Sequence, residues 1–238
     1  MQNRDGGIPT FCRGWGALPF DRSAPDLTAH AVRAWLAWAR DLDAKRQRRI
    51  LESVRRAVKF LERSQQGDGS WVPLWFGNQF DAAEENRSYG TSRVLLALSE
   101  MIGRLELGEE ARRRVVAMLE RGAAWLCRRQ NADGGWSGGE GGPSSTEESA
   151  LVVDALAAVA LTHDGSASRE QWKKAADTGA NWLMQKIESG EWKTPAPIGF
   201  YFAKLWYFEK LYPIIFTVGA LGRVKQLAAK NKAPDSSQ

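Results

Sequence analysis

The chain has 238 residues, 43% of them hydrophobic and 26% charged, with 11 Trp and a formal net charge of +5. A chain of this length can bury a full-sized core, and its composition excludes a disordered or collagen-like polymer. The two Cys, Cys12 and Cys127, supply neither a disulfide framework nor a metal-ligand spacing and point to a reducing cytoplasm, while the basic runs at 45–49 and 112–114 read as solvated helix faces rather than a nucleic-acid surface.

The first feature in chain order is a phrase, Gln2-Asn-Arg-Asp-Gly-Gly-Ile8, directly after Met1. No charged-then-apolar segment is present at this end, so no secretion signal is expected. Residues 33–61 carry Trp35, Leu36, Ala39, Ile50, Leu51, Val54, Val58 and Leu61 at helical spacing, with a break at 41–44. The phrase returns as Gln65-Gln-Gly-Asp-Gly-Ser-Trp71, is followed by helical patterns at 92–105 and 111–129, and returns again as Gln130-Asn-Ala-Asp-Gly-Gly-Trp136. Ser145-Thr-Glu-Glu148 fits a capping box at the head of a helix over 147–161. Helices are also predicted at 169–186 and 200–226, around a degenerate fourth phrase running from Trp182 to Trp192. No strand is convincing, and the longest uncharged apolar stretch, Leu211 to Gly222, is too short to span a bilayer. Residues 1–225 read as one domain and 226–238 as a polar, disordered tail.

Each interval between phrases holds about two helices, and helix pairs that cannot bury both faces alone must stack into a solenoid or close into a ring of inner and outer helices. In such a stack the Gln amide can bond backbone groups at neighbouring helix ends, Asp-Gly makes the tight turn, and Trp anchors it on the preceding helix. The copy at Gln2 implies that the chain starts inside a repeat.

These phrases resemble the QW repeats of triterpene cyclases, and the chain is similar to the C-terminal part of squalene-hopene cyclases. The supporting elements occur in family order: Leu18-Pro-Phe20, Asp26-Leu-Thr-Ala-His30, Asp68-Gly-Ser-Trp71 with Trp75, Tyr89-Gly-Thr91, Pro143-Ser-Ser-Thr146, Gly199-Phe-Tyr201, Tyr212-Pro213 and Ala220-Leu-Gly-Arg223. The resemblance implies an all-α fold, an incomplete α/α barrel (toroid) of paired inner and outer helices. It implies an isomerase that protonates a terminal alkene of squalene or a related polyprene and closes rings through carbocations, with no cofactor and no metal. Such chemistry needs an acid made strong by its neighbours and π faces where positive charge develops. The resemblance places Asp26 and His30, one helical turn apart, in the hydrogen-bonded network behind the catalytic aspartate, with a protonated His, and Tyr89 beside the same acid. Without it, Asp26 is a helix N-cap after Pro25 and His30 a satisfied core histidine. By the same resemblance Phe11, Trp75 and Phe200 line the cavity, and Phe202, Trp206 and Tyr207 are further substrate-facing candidates, or else the inward face of an amphipathic helix.

The family's proton donor lies in an Asp-x-Asp-Asp motif that this sequence lacks; Asp41-Leu-Asp43-Ala44 reads as a solvated helix terminus. The expectation is therefore a segment inactive by itself, peripheral on the cytoplasmic face of a membrane, and completed by a missing N-terminal part or by another copy in a homodimer. A non-catalytic terpenoid-binding or scaffolding repeat protein, a separate cyclase subunit and a pseudoenzyme are the competing expectations. A protein prenyltransferase β-subunit, which needs zinc ligands, has only His30 and His163 to offer.

Overall fold

Pro25 and Asp43 set where the first two helices begin. The computed structural model describes residues 2–10, 22–104, 108–163, 166–196, 198–200 and 205–232. A short antiparallel pair, β1 (Ile8–Pro9) and β2 (Ser23–Ala24), leads into α1 (Pro25–Trp38), whose first residue has the φ a helix needs and no N–H to leave unpaired. A 3₁₀ turn at Ala39–Asp41 ends it, and Asp43 then caps α2 (Ala44–Ser64) by accepting the Arg46 N–H at 2.9 Å. The chain continues through α3 (Arg87–Arg104), α4 (Glu109–Arg128), α5 (Thr146–Thr162), α6 (Arg169–Ser189), a hairpin of β3 (Ile198–Phe200) and β4 (Leu205–Tyr207), and α7 (Tyr212–Lys232).

Burial sorts the helices into two layers. In α2, α4 and α6 the buried residues form one stripe, such as Val54, Ala57, Val58 and Leu61, and the opposite face is charged. In α3 and α5 nearly every side is buried, and α5 reads Leu151, Val152, Val153, Leu156 and Val159 with hardly a polar residue between Ser149 and Leu161 apart from Asp154. The odd-numbered helices pack in the row α1, α3, α5, α7, each of the first three backed by the even-numbered helix that follows it. This is the α/α arrangement of inner and outer helices.

The phrase that repeats is the joint between outer helices. Gln65, at the end of α2, donates from its amide to Gly69 O at 2.9 Å and to Met118 O of α4 at 3.0 Å. Gln130, after α4, does the same to Gly134 O at 2.9 Å and to Ala175 O of α6 at 3.1 Å, and Gln2 reaches Ser53 O of α2 at 2.9 Å. The target carbonyls lie inside the next outer helix, not at its end as the sequence suggested. Trp71 and Trp136 are fully buried and donate back to Leu61 O and Leu126 O of the preceding helix, each at 2.8 Å. Their own N–H groups, and that of Ile8 in the first copy, bond a hydroxyl on the next inner helix, Thr91, Ser149 and Thr28 respectively. The carboxylates of Asp68 and Asp133 take an indole N–H from the following outer helix, Trp125 on Asp68 at 3.1 Å and Trp182 on Asp133 at 3.0 Å. Trp182 thus completes the Asp133 joint instead of opening a fourth one, and Trp192 is only half-buried.

Three other expectations change. β3 and β4 pair as short antiparallel strands where the first turns of a helix over 200–226 were expected, Ile198 with Tyr207 and Gly199 with Trp206. Strands therefore exist, although short. The last helix runs to Lys232, so the boundary expected at 226 falls within α7.

The capping box at Ser145 forms with a difference. Ser145 Oγ accepts the Glu148 N–H at 3.1 Å, but its hydroxyl donates to Glu148 Oε2, and Asn86 Nδ2 donates to Glu148 Oε1 at 2.9 Å. Asn86 Oδ1 in turn accepts the Tyr89 N–H at 2.9 Å, so one buried carboxyl ties the first turn of α5 to the first turn of α3. Burial, and then the neighbouring Glu147, raise the Glu148 pKa to about 7.

Two stability predictions follow from these joints. Gly69 has φ +100°, and a Cβ there would lie 2.6 Å from Arg121 O, whereas at Gly134, with φ +95°, the nearest atom is the Thr178 methyl at 3.0 Å. Gly69→Ala should cost about 2–3 kcal/mol in chemical denaturation and Gly134→Ala about 1–2, while Gly67→Ala, in open space, should stay within about 0.5. For Glu148 the folded pKa lies above the unfolded one, so its contribution is fully present below about pH 4.5 and is lost as pH rises through about 7. Asp26, raised to about 6, loses its contribution in the same direction over the same range. Thermal melts should therefore show stability falling by more than Glu148's share of about 3 kcal/mol, and Glu148→Gln, which keeps an acceptor for Asn86, should reduce the slope and melt higher than wild type at pH 8. The carboxyls held below their usual range, Asp68 and Asp133, titrate at lower pH and do not compete in this window.

Candidate active site

The first turns of α1, α3 and α7 converge on the inner side of the helix row. Asp26 sits at the second position of α1 and is 1% exposed, because β2 and Pro25 deliver it beneath the segment that carries Leu74. Its Oδ1 accepts the Leu74 N–H at 3.4 Å, and its Oδ2 is buried with no partner. Burial raises its pKa to about 6 against the backbone N–H groups of Leu74, Asp26 and Leu27 and the charge of Arg93, which pull it down. The group therefore carries a proton part of the time near neutrality. Asp26 is not the N-cap of α1, a place taken by Ala24 without a side-chain bond.

His30 lies one turn further along α1 and is exposed. Surrounding protein, then the guanidiniums of Arg93 and Arg33, push its pKa down to about 4. An exposed ring keeps much of its hydration, so the two positive charges decide the direction. No hydrogen bond joins it to Asp26 among the described residues, and at pH 7 the ring is neutral.

Tyr89, in the first turn of α3, is buried, with its ring centre 4.3 Å from that of Phe76 and tilted by 47°. Burial raises its pKa; Asp26 and Tyr212 add to the rise and Arg93 opposes it, so the phenol stays protonated. These cross-influences bring Asp26 of α1, Tyr89 of α3 and Tyr212 of α7 into one neighbourhood. Trp75 is half-buried and its indole N–H donates to Thr10 Oγ. Trp206 and Tyr207 are half-buried on β4, on a hairpin and not on the amphipathic helix that was their alternative. Phe200 is placed by its backbone in β3, opposite Leu205. Phe11 and Phe202 lie outside the described residues.

Sequence reasoning missed Arg93, Phe76 and Phe216. Arg93 follows Tyr89 by one helical turn, and that spacing was the signal that could have found it. The hollow of about 430 Å³ walled by Phe80, Thr146, Trp182 and Glu191 is separate: none of Asp26, His30, Tyr89 or Trp75 lines it. Among the described residues no three His, Cys, Asp or Glu side chains group to hold a metal ion. Chemically, the site offers a partly protonated carboxyl with a free oxygen, a phenol donor and aromatic walls.

A family model described as the squalene-hopene cyclase C-terminal domain matches residues 2–226. A drimenyl diphosphate synthase from Streptomyces showdoensis is 35% identical over 66% of this chain and 24% of its own length. A squalene-hopene cyclase from Zymomonas mobilis is 30% identical over 75% of this chain and 25% of its own. The solved structure of an ent-copalyl diphosphate synthase from Streptomyces platensis superposes with a TM-score of 0.62 at 25% identity, covering 95% of this chain and 36% of that one. The chain thus spans about a quarter to a third of the length of these relatives. With nearly its whole length matched by the family model, the chain belongs to the squalene-hopene cyclase C-terminal domain family.

Proposed function

We propose that this chain is the part of an acid-initiated polyprene cyclase that supports the proton donor and walls the reaction cavity. The observation that carries the reading is Asp26, a buried carboxyl raised to about 6 with one oxygen unbonded, set beside the protonated phenol of Tyr89. An acid in that state can donate a hydrogen bond to a neighbouring carboxylate or return a proton to it, and Tyr89 can hold the same partner in place. Phe76, Trp75, Trp206 and Tyr207 supply π faces suited to a developing cation. Because the Asp-x-Asp-Asp motif is absent from the sequence given, the chain acts with another segment and not alone. A substrate such as squalene is insoluble in water, which supports work at a membrane surface. Among the described residues no helix is long and apolar enough to cross a membrane.

The purified chain should bind squalene, read by quenching of Trp fluorescence, and should form no cyclised product detectable by mass spectrometry. Product from the chain alone refutes the need for an outside acid, and failure to bind any polyprene refutes the reading as a whole. Joined in one polypeptide to an upstream cyclase segment that carries Asp-x-Asp-Asp, it should form product, and Asp26→Asn in that polypeptide should lower turnover about 100-fold. Turnover unchanged by Asp26→Asn would remove Asp26 from the mechanism.

A further inference from the structure

A line of rings with one cation at its middle runs from the segment before α3 to α7. The Phe76 and Tyr89 ring centres are 4.3 Å apart, and those of Tyr212 and Phe216, one turn apart on α7, are 4.9 Å apart. Arg93 joins the two pairs: its guanidinium lies 5.0 Å from the Tyr89 ring centre and 4.9 Å from that of Phe216, and it hydrogen-bonds the Tyr89 side chain. Helix α5 stands between α3 and α7, with the outer helices α4 and α6 packed behind it. The contact from Arg93 to Phe216 therefore passes across the inner side of the row.

Each ring face attracts the guanidinium, and two faces together hold a long side chain that would otherwise move among many rotamers. A guanidinium also keeps its proton at every pH at which the fold survives, so its charge is constant in value as well as in place. Burial drives Asp26 up and His30 down, and Arg93 acts on both: it draws the Asp26 carboxyl back and, with Arg33, presses His30 further down. On α3 it opposes the rise of the Tyr89 phenol, to which Asp26 and Tyr212 contribute. Arg33 is bonded to Glu100 at 2.8 Å, whereas Arg93 is held by two rings and a phenol.

We infer that Phe216 and Arg93 are positioning residues: Phe216 braces Arg93 against Tyr89, and the braced guanidinium holds the phenol and fixes the electrostatic field at Asp26 and His30. Through this contact α7, at the far end of the row from α1, acts on the acid that α1 carries. Loosening the brace lets water screen the charge, and the field at α1 weakens although no residue of α1 has changed. What the field does for catalysis rests on the reading of the chain as part of a polyprene cyclase; where the charge stands does not.

The test uses the two histidines of the 238-residue chain, His30 in the site and His163 beside Glu120 of α4, as a probe and its internal control. Followed by NMR between pH 5 and 7.5, wild-type His30 should stay neutral. Arg93→Gln should raise its proton affinity about tenfold, toward the usual 6.5. Phe216→Leu, which removes the ring but keeps an apolar side chain, should give part of that rise, and Arg93→Lys less than Arg93→Gln. His163 should not move in any of them, and Arg112→Gln, an exposed change on α4, should leave His30 as it is. A His30 titration unmoved by Arg93→Gln, or moved equally by Arg112→Gln, overturns the placement of the charge; one moved by Arg93→Gln but not by Phe216→Leu overturns the brace. Should Arg93→Gln fail to fold, Phe216→Leu decides, since it leaves the charge and takes only its support. In the polypeptide joined to a segment carrying Asp-x-Asp-Asp, Phe216→Leu should lower kcat about tenfold with KM nearly unchanged and move the Asp26-dependent limb of the pH profile upward. An unmoved profile with His30 shifted overturns the role in the reaction, and a joined polypeptide without product overturns the polyprene reading and leaves the His30 result standing.

Discussion

One side-chain amide per repeat holds the outer layer in register, and the inner layer inherits its geometry. Gln65 and Gln130 each bond a carbonyl within their own turn and one in the middle of the next outer helix. A carbonyl inside a helix already accepts a backbone N–H, so the amide uses its second lone pair and disturbs nothing in the helix. Because Trp71 and Trp136 tie the same turn back to the preceding helix and across to Thr91 and Ser149, the joint fixes three helices at once. The first turns of α3 and α5 are thereby set beside the end of the turn. Asp26, Tyr89 and Glu148 sit on those first turns or on the equivalent turn of α1.

Polar groups in the core are treated differently in the joints and at the first turns of the inner helices. In the joints nearly every donor meets an acceptor. At the inner ends Asp26 Oδ2, Glu147 Oε2 and Arg93 Nε are buried without one. Buried unsatisfied groups of this kind cost about 1–3 kcal/mol each, more when charged, so they persist where chemistry or a ligand needs them.

Much of the helical layer was legible because its signals are local. The charged and apolar stripes of α2, α4 and α6, the break at 41–44 and the box at Ser145 all depend on residues within a turn or two of one another. The periodic reading began α1 only at residue 33, because the residues from Pro25 to Val32 mix small, polar and apolar side chains with no repeating apolar stripe to set a period. The pairing of β3 with β4 was missed because the apolar run that contains them reads equally as helix or strand, and only the pairing of Gly199 with Trp206 decides. In the site, Asp26, His30 and Tyr89 were named from an ordered series of phrases, but their charge states were not legible. Those states depend on Arg93, Arg33 and Leu74, which the fold brings up from other helices and loops.

The same side chain meets two fates in this fold, and backbone donors decide which. Asp68 and Asp133 are part of tight turns where a carboxylate oxygen accepts the N–H of Ser70 or Gly135 and a nearby hydroxyl, and an indole N–H bonds the other oxygen. Despite some burial they are held below the usual carboxylate range. Asp26 and Glu148 are buried more deeply and receive fewer or weaker donors, so desolvation wins and each keeps its proton to higher pH. The outer joints thus use ionised aspartates as structural acceptors at neutral pH. The inner turns keep carboxyls that can still exchange a proton, at a cost in stability that rises with pH. A carboxyl raised by burial alone would do no more than destabilise the fold; what gives Asp26 a use is that its unbonded oxygen stands within the field of Arg93 and beside a phenol that remains a donor.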